Sequence, residues 1–496
     1  MKNFVKRTLT AAMAAIMLIG AAGCNGTKTT EGNLPKVKWY LFSSPSNVNE
    51  KDIFAEANRM AVEKVGVDLE IIPLESANYE AKMQVLTASN EEFDIMFVSN
   101  WLNNYYSSIS NGALVELDEY LQDFPKLRET IPDYFWDSMK VGGKIYGVPN
   151  QQIAARGPFF AVPKHNLELL NLDLADFENA GENYKTALEA CEKYLRAVKE
   201  ATGEASNVTQ IWNDGTQMFN MEEVVGSLLP GAVFFDNEAE QYTLVNQYET
   251  EAFKYYINTR RRWVEEGLAF PGDEQERTLD EVTDPTAIVP YLNRRNCYRP
   301  QGIPELNRGS NYEWEVLFKT KPIMTSGSVA ATINGISATS GNPEAALKVL
   351  ELVNTDKDFY NLLVYGIEGV NYTKVDDNRI SLNKDNPYTW SEWNVGNTYL
   401  KYLVDGEPDN LVEEVKRIND ESFKSPLLGF SPDFTELKVE IAACKSAISE
   451  YFKLLDYGLV DVDKTYGEFI SKLKAGGCDR IISEVQKQID EWVAQK

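Results

Sequence analysis

Between Val37 and Val98 the spacing of apolar residues switches between strand and helix periods again and again, and that alternation leaves few folds open to the chain. Val37 to Phe42 reads as a strand. Asp52 to Val65 places Ile53, Ala57, Met60, Ala61 and Val65 on one helical face, with Asn49 placed to cap its start and Gly66 to end it. Val67, Leu69 and Ile71 alternate as a second strand, which Pro73 should stop. Tyr79, Met83 and Leu86 return to helical spacing, and Phe93 to Val98 is an almost unbroken apolar run of the kind buried on both faces of a parallel sheet. The pattern is βαβαβ, which predicts an α/β fold. Ligands of such open sheets bind beyond the carboxyl ends of the strands, here at Ser44 and Asn47 after the first and at Asn100 and Trp101 after the third.

At 496 residues the chain is longer than one core usually holds, so two domains are expected. The passage between them is sought at Gly142 to Pro163. Two short apolar runs stand back to back there, Ile145, Tyr146 and Val148, then Phe159, Phe160 and Val162, with polar residues 150–156 between. Two readings fit these residues equally: a hinge crossing, or a hairpin inside one domain. Further on, Tyr184 to Ala201 reads as a helix, Val208 to Ile211 as a strand leading to Trp212 and Asp214, and Phe253 to Leu268 as another helix. Pro322 to Ile336 reads as a returning strand, and Gly341-Asn342-Pro343-Glu344 opens a helix.

Composition excludes several partners. The formal charge is -26, which repels phosphate backbones and anionic lipid, so nucleic acid is not expected. Beyond Cys24, the four remaining cysteines, Cys191, Cys297, Cys444 and Cys478, lie far apart without a Cys-x-x-Cys pair, which leaves a zinc or redox motif unsupported. A disulfide stays open, although Cys191 and Cys444 fall on apolar helix faces and suit small core positions. His165 is the only histidine, and no Gly-x-Ser-x-Gly elbow accompanies it; it reads as a surface or packing residue. No catalytic residue, metal or cofactor is assigned.

The N-terminus carries Lys2, Lys6 and Arg7, an apolar run from Leu9 to Gly20, and then Ala21-Ala22-Gly23-Cys24. This resembles a bacterial lipoprotein signal, with Ala21 where Leu is usual. The resemblance implies that residues 1–23 are removed and that Cys24 is acylated on its thiol. An ordinary secretory signal is the alternative. Residues 24–35 read as a flexible tether.

Larger segments carry a second resemblance. Lys144-Ile145-Tyr146-Gly147-Val148-Pro149, Gly341 to Ala346, Tyr365-Gly366-Ile367-Glu368-Gly369-Val370-Asn371-Tyr372 and Lys472 to Gly477 resemble the extracellular solute-binding lipoproteins of ABC importers, family 1, carbohydrate type. Ser425 to Trp492 is similar to the C-terminal region of its Gram-positive members, with Gly477 where a β-branched residue is expected. The resemblance implies a two-lobed periplasmic-binding-protein-like fold of type II, with three crossings at 150–156, 329–334 and 424–431. The first lobe would comprise 36–153 and 329–424, the second 154–328 and 425–496. It implies a monomer on the outer face of the cytoplasmic membrane that binds an oligosaccharide and docks on permease subunits.

A sugar ring offers a C–H face to an aromatic plane and a rim of hydroxyls to fixed donors and acceptors. Trp101, Trp212 and Trp393 are therefore the candidate platforms, with Asp214 and Asn397 near two of them. Gln152 and Arg156 lie in the crossing, and Glu368 follows a Tyr-Gly turn. Each has a plainer role available, in the core, in the hinge or in solvent. A peptide or signal ligand would suit the same scaffold. A glycan hydrolase is the remaining alternative, since acids are plentiful, but no pair of them is set apart by environment.

Overall fold

Strand β1 (Lys36–Ser43) sends Val37, Trp39 and Leu41 into one core and Tyr40 and Phe42 into another, the period-two alternation of a strand covered on both faces. The computed structural model describes residues 34–43, 49–212, 216–236, 238–272, 284 and 286–495. The expected signal, Cys24 and most of the expected tether lie outside them, as do Ser44, Asn47 and Asp214.

The remaining strands in chain order are β2 (Asp68–Glu75), β3 (Ile95–Val98), β4 (Gly147–Pro149), β5 (Phe159–Pro163), β6 (Asn207–Val208), β7 (Met221–Glu223), β8 (Ala232–Phe234), β9 (Tyr291–Arg295), β10 (Trp314–Lys319), β11 (Ile323–Met324), β12 (Ile333–Ile336), β13 (Tyr372–Lys374), β14 (Arg379–Leu382), β15 (Leu403–Val404) and β16 (Phe423–Lys424). A five-stranded sheet of order β2-β1-β3-β12-β4 forms the first lobe, and a four-stranded sheet of order β10-β5-β9-β6 the second. The helices Glu50–Val65, Ser76–Ala88 and Pro343–Thr355 cover the first sheet through Ile53, Ala57, Tyr79, Met83 and Leu350.

Two local readings need correction. Pro73 does not stop the second strand: β2 is the sheet edge, where a residue without an N–H is tolerated, and pairing continues to Glu75. Asn49 precedes its helix in the left-handed region, and its side chain makes no capping bond; its main-chain oxygen accepts from Asp52 and Ile53 instead. Gly66 does end that helix, at φ 67°.

The hairpin reading of 150–156 is excluded because the strands on either side belong to different sheets. β4 pairs with β12 in the first lobe, whereas β5 pairs with β9 and β10 in the second. The segments passing between the lobes bind one another. Arg156 and Ile323 exchange main-chain hydrogen bonds of 2.8 Å in both directions, and β11 lies parallel to β16. The run from 322 to 336 is thus not one strand. It breaks into β11, a single helical turn Ser326–Val329 and β12, so the paired part of the second crossing lies at Ile323–Met324, ahead of the expected 329–334.

The C-terminal helices Lys438–Asp456, Val462–Ala475 and Cys478–Val493 are part of the second lobe's core, through Cys444, Ile448, Phe469, Leu473, Ile481, Val485 and Ile489. Gly477 has a physical reason here: it adopts φ 91°, and a Cβ would stand 2.6 Å from Glu440 Cγ. Gly429, beside the third crossing, is equally constrained, at φ 91° with a Cβ position 3.1 Å from the main-chain oxygen of Asp137 in the first lobe. Gly429→Ala should cost about 1–3 kcal/mol in urea denaturation; an unchanged midpoint would show that this contact yields freely.

Candidate functional site

The first wall of the site grows from the carboxyl end of β3. Ser99 ends that strand, and its hydroxyl accepts from the main-chain N–H groups of Trp101 (3.2 Å) and Leu102 (2.8 Å), which folds the chain back at once. Asn103 takes φ 49° and donates its amide to Phe97 O at 3.1 Å. Asn104 caps the helix Tyr105–Ser110 by accepting from Ser107 N–H at 2.9 Å. Trp101 is left projecting from this turn with 55% of its surface exposed.

Its indole is nonetheless fixed. Nε1 donates to Ala331 O at 2.9 Å, and the ring centroid lies 5.9 Å from Phe42, 6.1 Å from Phe97 and 6.0 Å from Trp393. Phe42 and Phe97 are buried beneath, and Trp393 is half-buried beside it. A large aromatic surface left partly open and braced from below is a platform rather than an incomplete core.

The crossing residues adjoin this platform. Asn150 donates to Trp393 O at 3.1 Å, and Gln152 Nε2 to Thr332 Oγ1 at 2.8 Å. Arg156 is half-buried, and its guanidinium makes no hydrogen bond or ion pair among the described residues. Asn100 is exposed and holds the turn Ser326–Val329 through Gly327 O at 3.0 Å. The structure therefore gathers Asn100, Trp101, Gln152 and Trp393 around the first crossing.

Three expected site residues stand elsewhere. Trp212 has no exposed surface; its ring is enclosed by Phe219, Phe253 and Tyr256 at centroid distances of 4.3, 4.8 and 5.6 Å, so it is a core residue of the second lobe. Asn397 is buried and spent on structure, donating to Asn354 O at 3.1 Å and accepting from Tyr399 N–H at 3.0 Å. Glu368 is exposed next to β13 and pairs with Lys374 at 3.2 Å. Trp212 misled because a tryptophan at a strand end reads alike whether it faces a cleft or a core.

Sequence reasoning missed a buried charged cluster behind Trp393. Lys401 Nζ lies 2.8 Å from Glu392 and 3.1 Å from Glu407, with both Lys401 and Glu407 almost wholly enclosed. Burial would raise the Glu392 carboxyl, but Lys401, Arg299 and Gln301 outweigh it and hold it below its ordinary value. Gln301, from the segment after β9, donates to Glu392 at 3.3 Å, which links the second lobe to the first. A cavity of about 20 Å³, room for one water, is lined by Glu392, Lys401, Arg299 and Gln301 together with Gln152 and Trp393. No spacing pattern marks such a cluster: Glu392, Lys401 and Glu407 follow no helix or strand period, and Gln301 comes from a segment 91 residues away.

A wider groove of about 1040 Å³ lies on the second lobe, lined by Lys164, His165, Glu168, Asp173, Glu313 and Glu315 among others. It holds no indole, and His165 there meets Ala287 O at 2.9 Å. We take the platform, not this groove, as the site, because only the platform offers an open aromatic face with amides beside it. Among the described residues no three acidic, thiol or imidazole side chains converge as a metal site, and no helix is long and apolar enough to cross a membrane. Cys191, Cys297, Cys444 and Cys478 are buried and unbonded to one another.

Comparison with known proteins places this geometry. Residues 426–494 match the family described as domain of unknown function DUF3502. Over 516 aligned residues the chain is 29% identical to a carbohydrate ABC transporter substrate-binding protein of Streptococcus pneumoniae serotype 4, covering all of both chains. The crystal structure of the N-glycan transport solute binding protein NgtS from Streptococcus pneumoniae superposes with a TM-score of 0.78 at 27% identity, over 93% of this chain and 99% of that one. The same protein in complex with Man5GlcNAc gives 0.70 at 28% identity, over 93% and 99%. With the two-sheet architecture, the mutually paired crossings and the C-terminal helices packed into the second lobe, these likenesses agree on one conclusion: over its whole length the chain is similar to the solute-binding proteins of ABC importers.

Proposed function

We propose that this protein captures an oligosaccharide outside the cell and delivers it to the permease of an ABC importer, held to the membrane by a lipid on Cys24. The observation that carries the reading is Trp101, half exposed yet fixed by Ala331 and three aromatic neighbours beside the first crossing. A sugar ring would lay its C–H face on that indole while Asn100, Gln152 and Arg156 meet its hydroxyls. Two of the relatives named above are carbohydrate and N-glycan carriers by description, which supports the ligand class.

The crossings give the binding a mechanical consequence. A ligand touching both lobes favours the conformation in which it touches both, and β11 with β16 supplies a narrow ribbon about which the lobes can turn. No step alters a covalent bond of the ligand. Lobe limits near 36–153 and 329–424 for the first lobe, and 154–328 and 425–496 for the second, belong to this proposal, as does a monomeric state.

Thermal-shift screening of manno-, xylo-, gluco- and galacto-oligosaccharides and Man5GlcNAc against short peptides tests the ligand class. Stabilisation by a glycan is expected, with an affinity of about micromolar, that is a binding free energy of about 8 kcal/mol. Stabilisation by peptides alone would overturn the sugar reading, and release of reducing ends from a bound glycan would restore the hydrolase. Trp101→Ala should weaken glycan binding at least about tenfold, by more than about 1 kcal/mol, with little change in melting temperature. Calorimetric titration of the variant decides it; unaltered affinity would remove Trp101 from the site.

A further inference from the structure

Trp393 stands in a single turn of tight helix, Glu392–Asn394, that joins no sheet, so something else must hold it. Three side-chain amides do so from beneath. Asn150 Nδ2 donates to Trp393 O at 3.1 Å, and Asn150 Oδ1 accepts from Asn334 Nδ2 at 2.9 Å. Asn334 also reaches Asn394 O at 3.4 Å and accepts from Trp39 Nε1 at 3.3 Å. Asn394 accepts from Trp390 Nε1 at 2.8 Å and donates to Phe42 O at 3.2 Å.

Asn150 and Asn334 are 1% exposed and Asn394 is fully buried. Burying an amide is unfavourable unless its hydrogen bonds are made, and here they are made among otherwise apolar neighbours such as Val148 and Ile333. The bonds converge on the main chain at Phe42, Trp393 and Asn394, two of which carry the aromatic platform.

We infer that Asn150, Asn334 and Asn394 are positioning residues for Trp393, fixing its indole against Trp101 for the ligand; this rests on the oligosaccharide reading above. Asn150 opens the first crossing, so a turn of the hinge is felt at the indole through one hydrogen bond.

The test separates positioning from general support. The chain is labelled with 5-fluorotryptophan, and the Trp393 resonance is assigned by its loss in Trp393→Phe. Asn150→Ala should shift and broaden that resonance without ligand and weaken Man5GlcNAc binding about tenfold, whereas in a Trp393→Ala background the same substitution should change affinity less than about twofold. Asn150→Leu keeps the side-chain volume but offers neither donor nor acceptor, so it should match the alanine variant and serves if that variant does not fold. An unmoved resonance in both variants overturns the inference, as does an equal loss of affinity with and without the Trp393 indole. If the unmodified chain does not bind Man5GlcNAc, that glycan fails as a ligand, and the fluorine resonance still decides the positioning.

Discussion

Trp212→Ala should destabilise the protein by about 3–5 kcal/mol, the range for removing a large aromatic side chain from a closed core. The ring has no exposed surface and is surrounded by Phe219, Phe253, Tyr256 and Tyr248, so nothing can fill the cavity without moving other rings. Its main-chain N–H also reaches the buried carboxyl of Asp456, at the end of the helix Lys438–Asp456, which accepts from the Tyr256 hydroxyl as well. Tyr248, which stacks on the ring, meets Phe452 and Phe469, so the loss would spread to the C-terminal region matched by the domain of unknown function. Urea denaturation measures the effect, and ligand affinity measured well below the unfolding transition should be nearly unchanged. Trp101→Ala is expected to do the reverse. A variant of Trp212 that folds normally but loses ligand would show that the ring reaches the cleft after all.

Raising the pH from 5 to 8 should weaken the fold through Glu222. This side chain of β7 is 6% exposed and lies where the crossings meet: its carboxyl accepts from the Ser425 hydroxyl and the Ser326 main-chain N–H, and Tyr106 of the first lobe senses its charge while bonding to Ser431. Among the described residues, no cation is one of the groups that act on it. Burial outweighs the two hydrogen bonds and raises the carboxyl from 4.5 to about 7. Between those values the folded protein holds a proton that the unfolded chain has released, so stability falls as pH rises through this window and levels off above about 7. The full effect is roughly 3 kcal/mol. Glu222→Gln stays neutral, so the difference in unfolding free energy between variant and parent should grow in favour of the variant from pH 5 to 7. Parallel profiles across that range would mean that the folded and unfolded carboxyls titrate alike.

The first lobe was legible because its strands and helices are long and its βαβαβ order admits few arrangements. Even there, Pro73 was misread, since only the sheet order reveals that β2 is an edge. The candidate platform was legible at Trp101, where a strand end and a turn coincide, and the neighbouring crossing at Gln152, because a polar stretch separated two apolar runs. Trp393 was noticed without any signal for what surrounds it. Trp212 and Asn397 satisfied the same local pattern and turned out to be core and cap.

Local periodicity settled the strands and helices that open the first lobe, and residue type settled that any platform must be aromatic with amides nearby. Those properties depend on neighbours a few positions away. Which tryptophan faces outward, which asparagines join Trp393 to the first crossing, and how Gln301 meets Glu392 were decided only by tertiary structure. Each brings together residues about 90 to 300 positions apart, and the free energy that selects such contacts comes from burying them together, which no short window of sequence contains.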